Sequence, residues 1–184
     1  GLPQAEPSLK ITYVQPKDFT GLLRYVRNIL VVTIDPTAYT KVSVGYENNV
    51  WARGQVVVSL KAPNTESIVE YSKTHEKALV NFFVKVEMNR AIEQLQKEYS
   101  MVVMDNLKSD LNVMLNAPAN FTYYKDTTDF FWSSNNANTG RMDLIVYTFP
   151  YTDPNTFTEE YLVAKRDSVL KANLPGSFPG SYMQ

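Results

Sequence analysis

Residues 9–14, Leu-Lys-Ile-Thr-Tyr-Val, alternate apolar and polar positions with period two, which predicts a strand buried on one face. Pro16 and Lys17-Asp18 then open a short helix, because Phe19, Leu22, Leu23 and Val26 recur at helical spacing. Asn28 is its stop. Residues 29–34, Ile-Leu-Val-Val-Thr-Ile, are apolar on both faces and predict a central strand ended by Asp35-Pro36. The chain thus opens on an expected β-α-β unit. Val42, Val44 and Tyr46 alternate with Lys41, Ser43 and Gly45, and residues 55–61 form another strand ended by Pro63. These two pair as a hairpin whose long connection carries Trp51 and Arg53.

Asn64 or Thr65 caps the next element. From Glu66 to about Asp110 there is neither Pro nor Gly, and Ile68, Tyr71, His75, Leu79, Phe82, Val86, Ile92, Leu95, Tyr99 and Val102 follow near-helical spacing. One unbroken helix of that extent would reach about 67 Å, longer than a domain of this size is wide. A break near Ser100 is therefore expected, leaving a long helix over about 66–99. Residues 111–115 alternate as a strand. Residues 130–133 and 144–149 read as a second hairpin across the turn-rich Asn135-Asn136-Ala137-Asn138-Thr139-Gly140. Thr156 and Glu159 have capping-box spacing before a helix that runs to Ala172 and stops at Asn173, Pro175 and Gly176. The pattern gives an α+β fold, with a mixed or mostly antiparallel sheet and helices packed on it. We read residues 1–176 as a single domain and 177–184 as a flexible tail.

Composition narrows the chemistry. The 184 residues include no cysteine and one histidine, His75, which excludes thiol nucleophiles, disulfides and cysteine-based zinc sites. No phosphate-cradling glycine loop, nucleophile elbow or calcium loop is present. We expect no cofactor and no metal. The net charge of −1 offers no field for nucleic acid, which is not an expected partner. No run approaches the roughly 20 apolar residues that cross a bilayer as a helix. The chain opens Gly1-Leu2-Pro3-Gln4 rather than with Met, and we read it as processed or truncated.

What remains is an aromatic load of twelve Tyr, nine Phe and two Trp. Tyr and Trp join an apolar face to a polar edge, so part of this load can form a recognition surface. On its strand Phe131 faces one side while Phe130 and Trp132 face the other. One face is core, and the other is open to a ligand. The candidate ligand-binding residues are Trp51, Trp132, Tyr147, Tyr151 and Asp153; no residue is assigned as catalytic. Asp126, Asp129, Asp143, Asp153, Glu159 and Glu160 crowd the same region and leave a carboxylate-based hydrolase as an alternative.

Several stretches are distinctive as a set: Phe130-Phe131-Trp132-Ser133-Ser134-Asn135, Thr139-Gly140-Arg141-Met142 and Tyr147-Thr148-Phe149-Pro150-Tyr151-Thr152-Asp153. Asn155-Thr156-Phe157-Thr158 and residues 165–176 belong with them, as do Arg27-Asn28-Ile29-Leu30, Asp35, Val50-Trp51-Ala52 and Glu87-Met88-Asn89-Arg90. With these motifs nearly the whole chain resembles the Bacteroidetes family called domain of unknown function 4837. The resemblance implies an exported lipoprotein of the cell envelope, periplasmic or on the outer membrane. Its lipid anchor would sit on a Cys outside this chain, the only expected contact with a membrane. It implies a longer protein at both ends, with an edge strand upstream and further sheet downstream. It carries over no catalytic residue. The expected function is a non-catalytic binding or structural module with a protein or glycan partner in the envelope. The first alternative is a glycan-binding module using exposed Trp and Tyr.

Overall fold

In the computed structural model, residues 7–182 are described, and the chain divides into two compact units, Gly1–Glu93 and Gln94–Gln184. Each unit joins helix to sheet, so the chain is α+β as the hydrophobic pattern predicts.

The first unit is organised by its most apolar strand. Strand β1 (Asn28–Ile34), β2 (Ser43–Asn48) and β3 (Val56–Ala62) form a mixed sheet in the order β1-β3-β2. β3 is central because Val56, Val57, Val58, Leu60 and Ala62 are all buried. It runs parallel to β1, Asn28 beside Val56 through Ile34 beside Ala62, and antiparallel to β2, Ser43 opposite Lys61. The expected hairpin is therefore present, with Asn49 and Gly54 at φ of 59° and 75° making its turns. Gln55 is buried at the base of the connection. Its Nε2 donates to the carbonyls of Arg24 and Val26, and its Oε1 accepts from the Trp51 N–H.

Three expectations fail in this unit. Residues 9–14 join no strand, because alternation marks faces but supplies no neighbouring backbone to pair with. The helix after Pro16 breaks into two 3-10 turns, Pro16–Asp18 and Gly21–Tyr25. Gly21 sits at φ of 53°, outside the right-handed helical region, which separates the turns. And β1, expected at the centre, is an edge: among the described residues no strand pairs with its outer side, and Leu30, Val32 and Ile34 are about half exposed.

Helix α1 (Thr65–Lys97) starts where Asn64 Oδ1 accepts the Ser67 N–H. Phe82, Phe83 and Val86 on one stripe pack on Val56 and Val58, and Phe82 meets Tyr46 at 5.2 Å between ring centroids. Further along, Glu87 Oε1 accepts from Asn28 Nδ2 and from Arg90, and Arg90 also donates to the Arg27 carbonyl and Asn28 Oδ1. The helix ends where predicted. Residues 94–97, its last turn, belong to the second unit.

Within the second unit, helix α2 (Met101–Leu111) is capped by Ser100, which accepts the Val103 N–H and donates to the Phe121 carbonyl. The strand expected at 111–115 does not form. Val103, Leu107 and Leu111 continue the helical stripe, and Asn112 closes it in the left-handed conformation at φ of 53°. The sheet is antiparallel, in the order β4 (Tyr123–Thr127), β5 (Phe130–Ser134), β6 (Asp143–Tyr147). β5 and β6 are the predicted hairpin, with Phe130 opposite Tyr147 and Trp132 opposite Ile145. β4 was not legible, since Tyr-Tyr-Lys-Asp-Thr has no apolar alternation and is held by its pairing with β5.

Phe131, Leu144 and Val146 point from one face into a core with Val103, Leu107, Ala117 and Phe121. Helix α3 (Glu159–Asn173) is tied to the opposite face, where Lys125 Nζ donates to the carbonyl (2.9 Å) and Oδ1 (3.3 Å) of Asn173. The capping box lies one turn earlier than the spacing suggested. Asp153 and Thr156 form it around the 3-10 turn Pro154–Phe157, and Thr158 caps α3. Beyond α3, Pro175 and Tyr182 form an isolated antiparallel bridge; residues 183 and 184 of the expected tail lie outside the described residues.

Candidate functional site

The five candidate residues separate by unit. Trp51 lies in the first, on the β2–β3 connection, edge-on to Phe19 with ring centroids 5.5 Å apart. Trp132, Tyr147, Tyr151 and Asp153 lie in the second, along β5, β6 and the chain that leaves β6.

Trp132 is a held side chain rather than a free platform. It is half-buried, and Phe130 on the same sheet face is buried, so the face expected to stay open is largely covered. Its Nε1 donates to Asp143 Oδ1 at 2.9 Å. Arg141 Nε and Nη2 donate to the same carboxylate at 3.0–3.2 Å, and the guanidinium stands 5.9 Å from the Trp132 ring centroid. Burial pushes the Asp143 carboxyl up, but the hydrogen bonds of Arg141, Ser134 and Trp132 and the Arg141 charge outweigh it, leaving the group below its ordinary range.

Beyond Trp132 the chain builds an aromatic surface. Tyr147 and Phe149 are two residues apart in extended chain, so both rings project to one side and stack 5.9 Å apart. Phe149 meets Tyr161 of α3 at 6.0 Å, and Lys165, one turn further along α3, places Nζ 5.2 Å from the Phe149 centroid. Beyond Pro150, Tyr151 stacks on Phe157 at 5.4 Å and 23°. This last pair is open to solvent, with Tyr151 63% and Phe157 70% exposed. Asp153 fixes the corner through its capping box. Of the candidate residues, Tyr147 and Tyr151 lie in this aromatic stretch and Asp153 at its end; Phe149, Phe157, Tyr161 and Lys165 join them and were not among the candidates. The Tyr161–Lys165 spacing on a predicted helix was the available signal.

The remaining acids have other surroundings. Asp126 on β4 faces Asp110 at the end of α2; burial and then the hydrogen bond and charge of Asp110 push its carboxyl up. Glu159 and Glu160 occupy the first turn of α3, where the helix dipole favours acids. His75 stacks flat on Tyr71 with centroids 4.0 Å apart and stays exposed. Among the described residues no three of His, Cys, Asp and Glu gather as a metal site, and no helix is long and apolar enough to cross a membrane. Two open depressions lie in the first unit. One, of about 380 Å³, follows Thr65, Glu66, Val69, Glu70 and Lys73; the other, of about 230 Å³, lies over β2 and β3. Neither is lined by a candidate residue or by the Asp110–Asp126 pair.

With this geometry in place, comparison of the first half of the chain is decisive: residues 1–96 match the model of the family described as Domain of unknown function (DUF8532). The chain belongs to that family. Residues 100–184 match the model of a second, Domain of unknown function (DUF4837). The resemblance to domain of unknown function 4837 therefore stands for the second half and not for nearly the whole chain. Arg27-Asn28-Ile29-Leu30, Asp35, Val50-Trp51-Ala52 and Glu87-Met88-Asn89-Arg90, which we grouped with it, fall in the DUF8532 match. The junction between the two matches spans residues 97–99, immediately before the Ser100 cap of α2. No curated protein and no solved structure matches the chain.

Proposed function

We propose that this chain is a non-catalytic binding module of an exported, lipid-anchored cell-envelope protein, and that it holds a protein partner on the aromatic surface of its second unit. The observation that carries the reading is the Tyr151–Phe157 pair. Two large rings stacked on each other and both more than half exposed are an apolar patch that water solvates poorly. Tyr147, Phe149 and Tyr161 extend aromatic character along the same exit from β6, with Lys165 as a cationic neighbour. The export and the lipid anchor rest on the resemblance of the second half to its family. A glycan is the second reading, favoured by the near-parallel stacking of Tyr151 and Phe157, whose ring faces suit a sugar ring. The hydrolase is the third reading, resting on the facing carboxyls of Asp110 and Asp126.

The test is thermal unfolding of the chain against envelope proteins, peptides, glycans and cell-wall fragments. A ligand at a hundredfold its dissociation constant stabilises by about 2.7 kcal/mol. For this chain length that is about 5–11 °C. The expected result is a shift that the double substitution Tyr151→Ala, Phe157→Ala removes while the unliganded melting temperature stays within a few degrees. A ligand that shifts both forms equally would sink the reading.

A further inference from the structure

Among the described residues no strand pairs with the outer edge of β1. Strands at sheet edges are ordinarily protected by Lys, Pro, a bulge or a covering element. β1 has none of the first three across Asn-Ile-Leu-Val-Val-Thr-Ile, and Leu30, Val32 and Ile34 are 45%, 47% and 46% exposed. The other edge of the sheet, β2, carries Glu47.

The hydrogen-bond phase of β1 says how the edge can be filled. The Arg27 carbonyl accepts from Val56 and the Asp35 N–H donates to Ala62, so odd positions bond to β3. Backbone groups alternate sides along a strand, and the N–H and C=O of Asn28, Leu30, Val32 and Ile34 therefore point outward. We infer that a second copy of this chain fills the edge, β1 pairing antiparallel with β1 of the other copy about a two-fold axis through Val31. In that register Leu30 lies opposite Val32 and Asn28 opposite Ile34, each twice by symmetry, and every outward backbone group is bonded. The exposed stripes of the two copies meet on one face. At the ends, Arg27 of each copy stands opposite Asp35 of the other, in the close, non-hydrogen-bonded positions. Asp35 is a committed carboxylate: the Thr37 hydroxyl and the N–H groups of Thr37 and Ala38 hold its carboxyl below the ordinary range. The Arg27 side chain is 72% exposed, with only its Nε engaged, by Glu87 at 3.1 Å. A strand that pairs with itself thus gains charge complementarity at both ends with no charge between them. The contact is small, so the dimer is concentration-dependent.

Because the chain has no cysteine, single-cysteine variants test the register directly. In the inferred dimer the two Val31 Cα atoms lie about 4.5 Å apart, within disulfide reach. The two Leu30 residues are diagonal neighbours at about 7–8 Å, beyond the usual span. Under mild oxidation Val31→Cys is expected to give a covalent dimer and Leu30→Cys little, although position 30 is the more accessible to random collision. In sedimentation the unsubstituted chain shows a species of twice 21.0 kDa that grows with concentration. Val32→Lys, at an exposed position, leaves the circular dichroism melt in place and weakens the dimer at least about tenfold. A chain monomeric up to about millimolar concentration overturns the inference, assigning the edge to a strand of other origin. Equal cross-linking at positions 30 and 31, or a dimer that Val32→Lys leaves intact, overturns it too.

Discussion

Removal of the Asp143 carboxylate separates a structural from a ligand-binding Trp132. In Asp143→Ala the half-buried Trp132 Nε1 loses its acceptor at 2.9 Å and Arg141 loses a two-pronged partner. A hydrogen bond to a charged acceptor contributes about 1.5–3 kcal/mol where water is excluded. Trp132 is only half-buried, so the lower end applies. The Arg141 side chain is 46% exposed, so solvent screening holds its share to well under about 1 kcal/mol. The expected loss is about 2 kcal/mol, or about 4–8 °C in melting temperature if the chain unfolds in one step.

The pH dependence sharpens the test. The folded-state carboxyl is depressed below its ordinary 3.8, so its contribution is fully present above 3.8 and is lost as pH falls below that through the folded-state value. Calorimetric melts of the two forms should therefore differ by the full amount at neutral pH and converge in acid well below 3.8. A double-mutant cycle with Trp132→Phe, which keeps the ring and removes the donor, should return a coupling of about 1 kcal/mol. An Asp143→Ala chain as stable as the parent, or a gap unchanged in strong acid, would refute the reasoning and free Trp132 for a ligand.

Ser100→Ala removes the cap of α2 and the bond to the Phe121 carbonyl, and should cost about 1–2 kcal/mol in denaturant unfolding of the second unit. Asp126→Asn relieves a carboxylate that Asp110 opposes. Its folded-state value is raised, so the charge is unfavourable once ionised, and the variant should be more stable at neutral pH by under about 1 kcal/mol, with the gain vanishing in acid below the ordinary 3.8. Equal melting temperatures for both forms at neutral pH would show that the pair does not interact.

Where local pattern and tertiary pairing agree, the sequence was sufficient. The long apolar run of β3, the α1 register ending before Ser100 and the β5–β6 hairpin follow from periodicity and breakers, because each is decided by neighbours a few residues away. The α+β class follows from the same elements, and the absence of cysteine excludes thiol chemistry and disulfides among these residues. Tertiary structure decided which strand lies at a sheet's centre, and so left β1 open although it is as apolar as β3. It made a strand of Tyr123–Thr127, which has no strand pattern, through the partner it acquires. It took Trp132, the most conspicuous aromatic residue, out of the open surface by giving its N–H to Asp143, and left Tyr151 and Phe157 exposed in its place. Exposure and strand pairing depend on which residues the fold lays alongside each other, and the apolar–polar alternation of one segment does not carry that information, even where the partner is close in sequence.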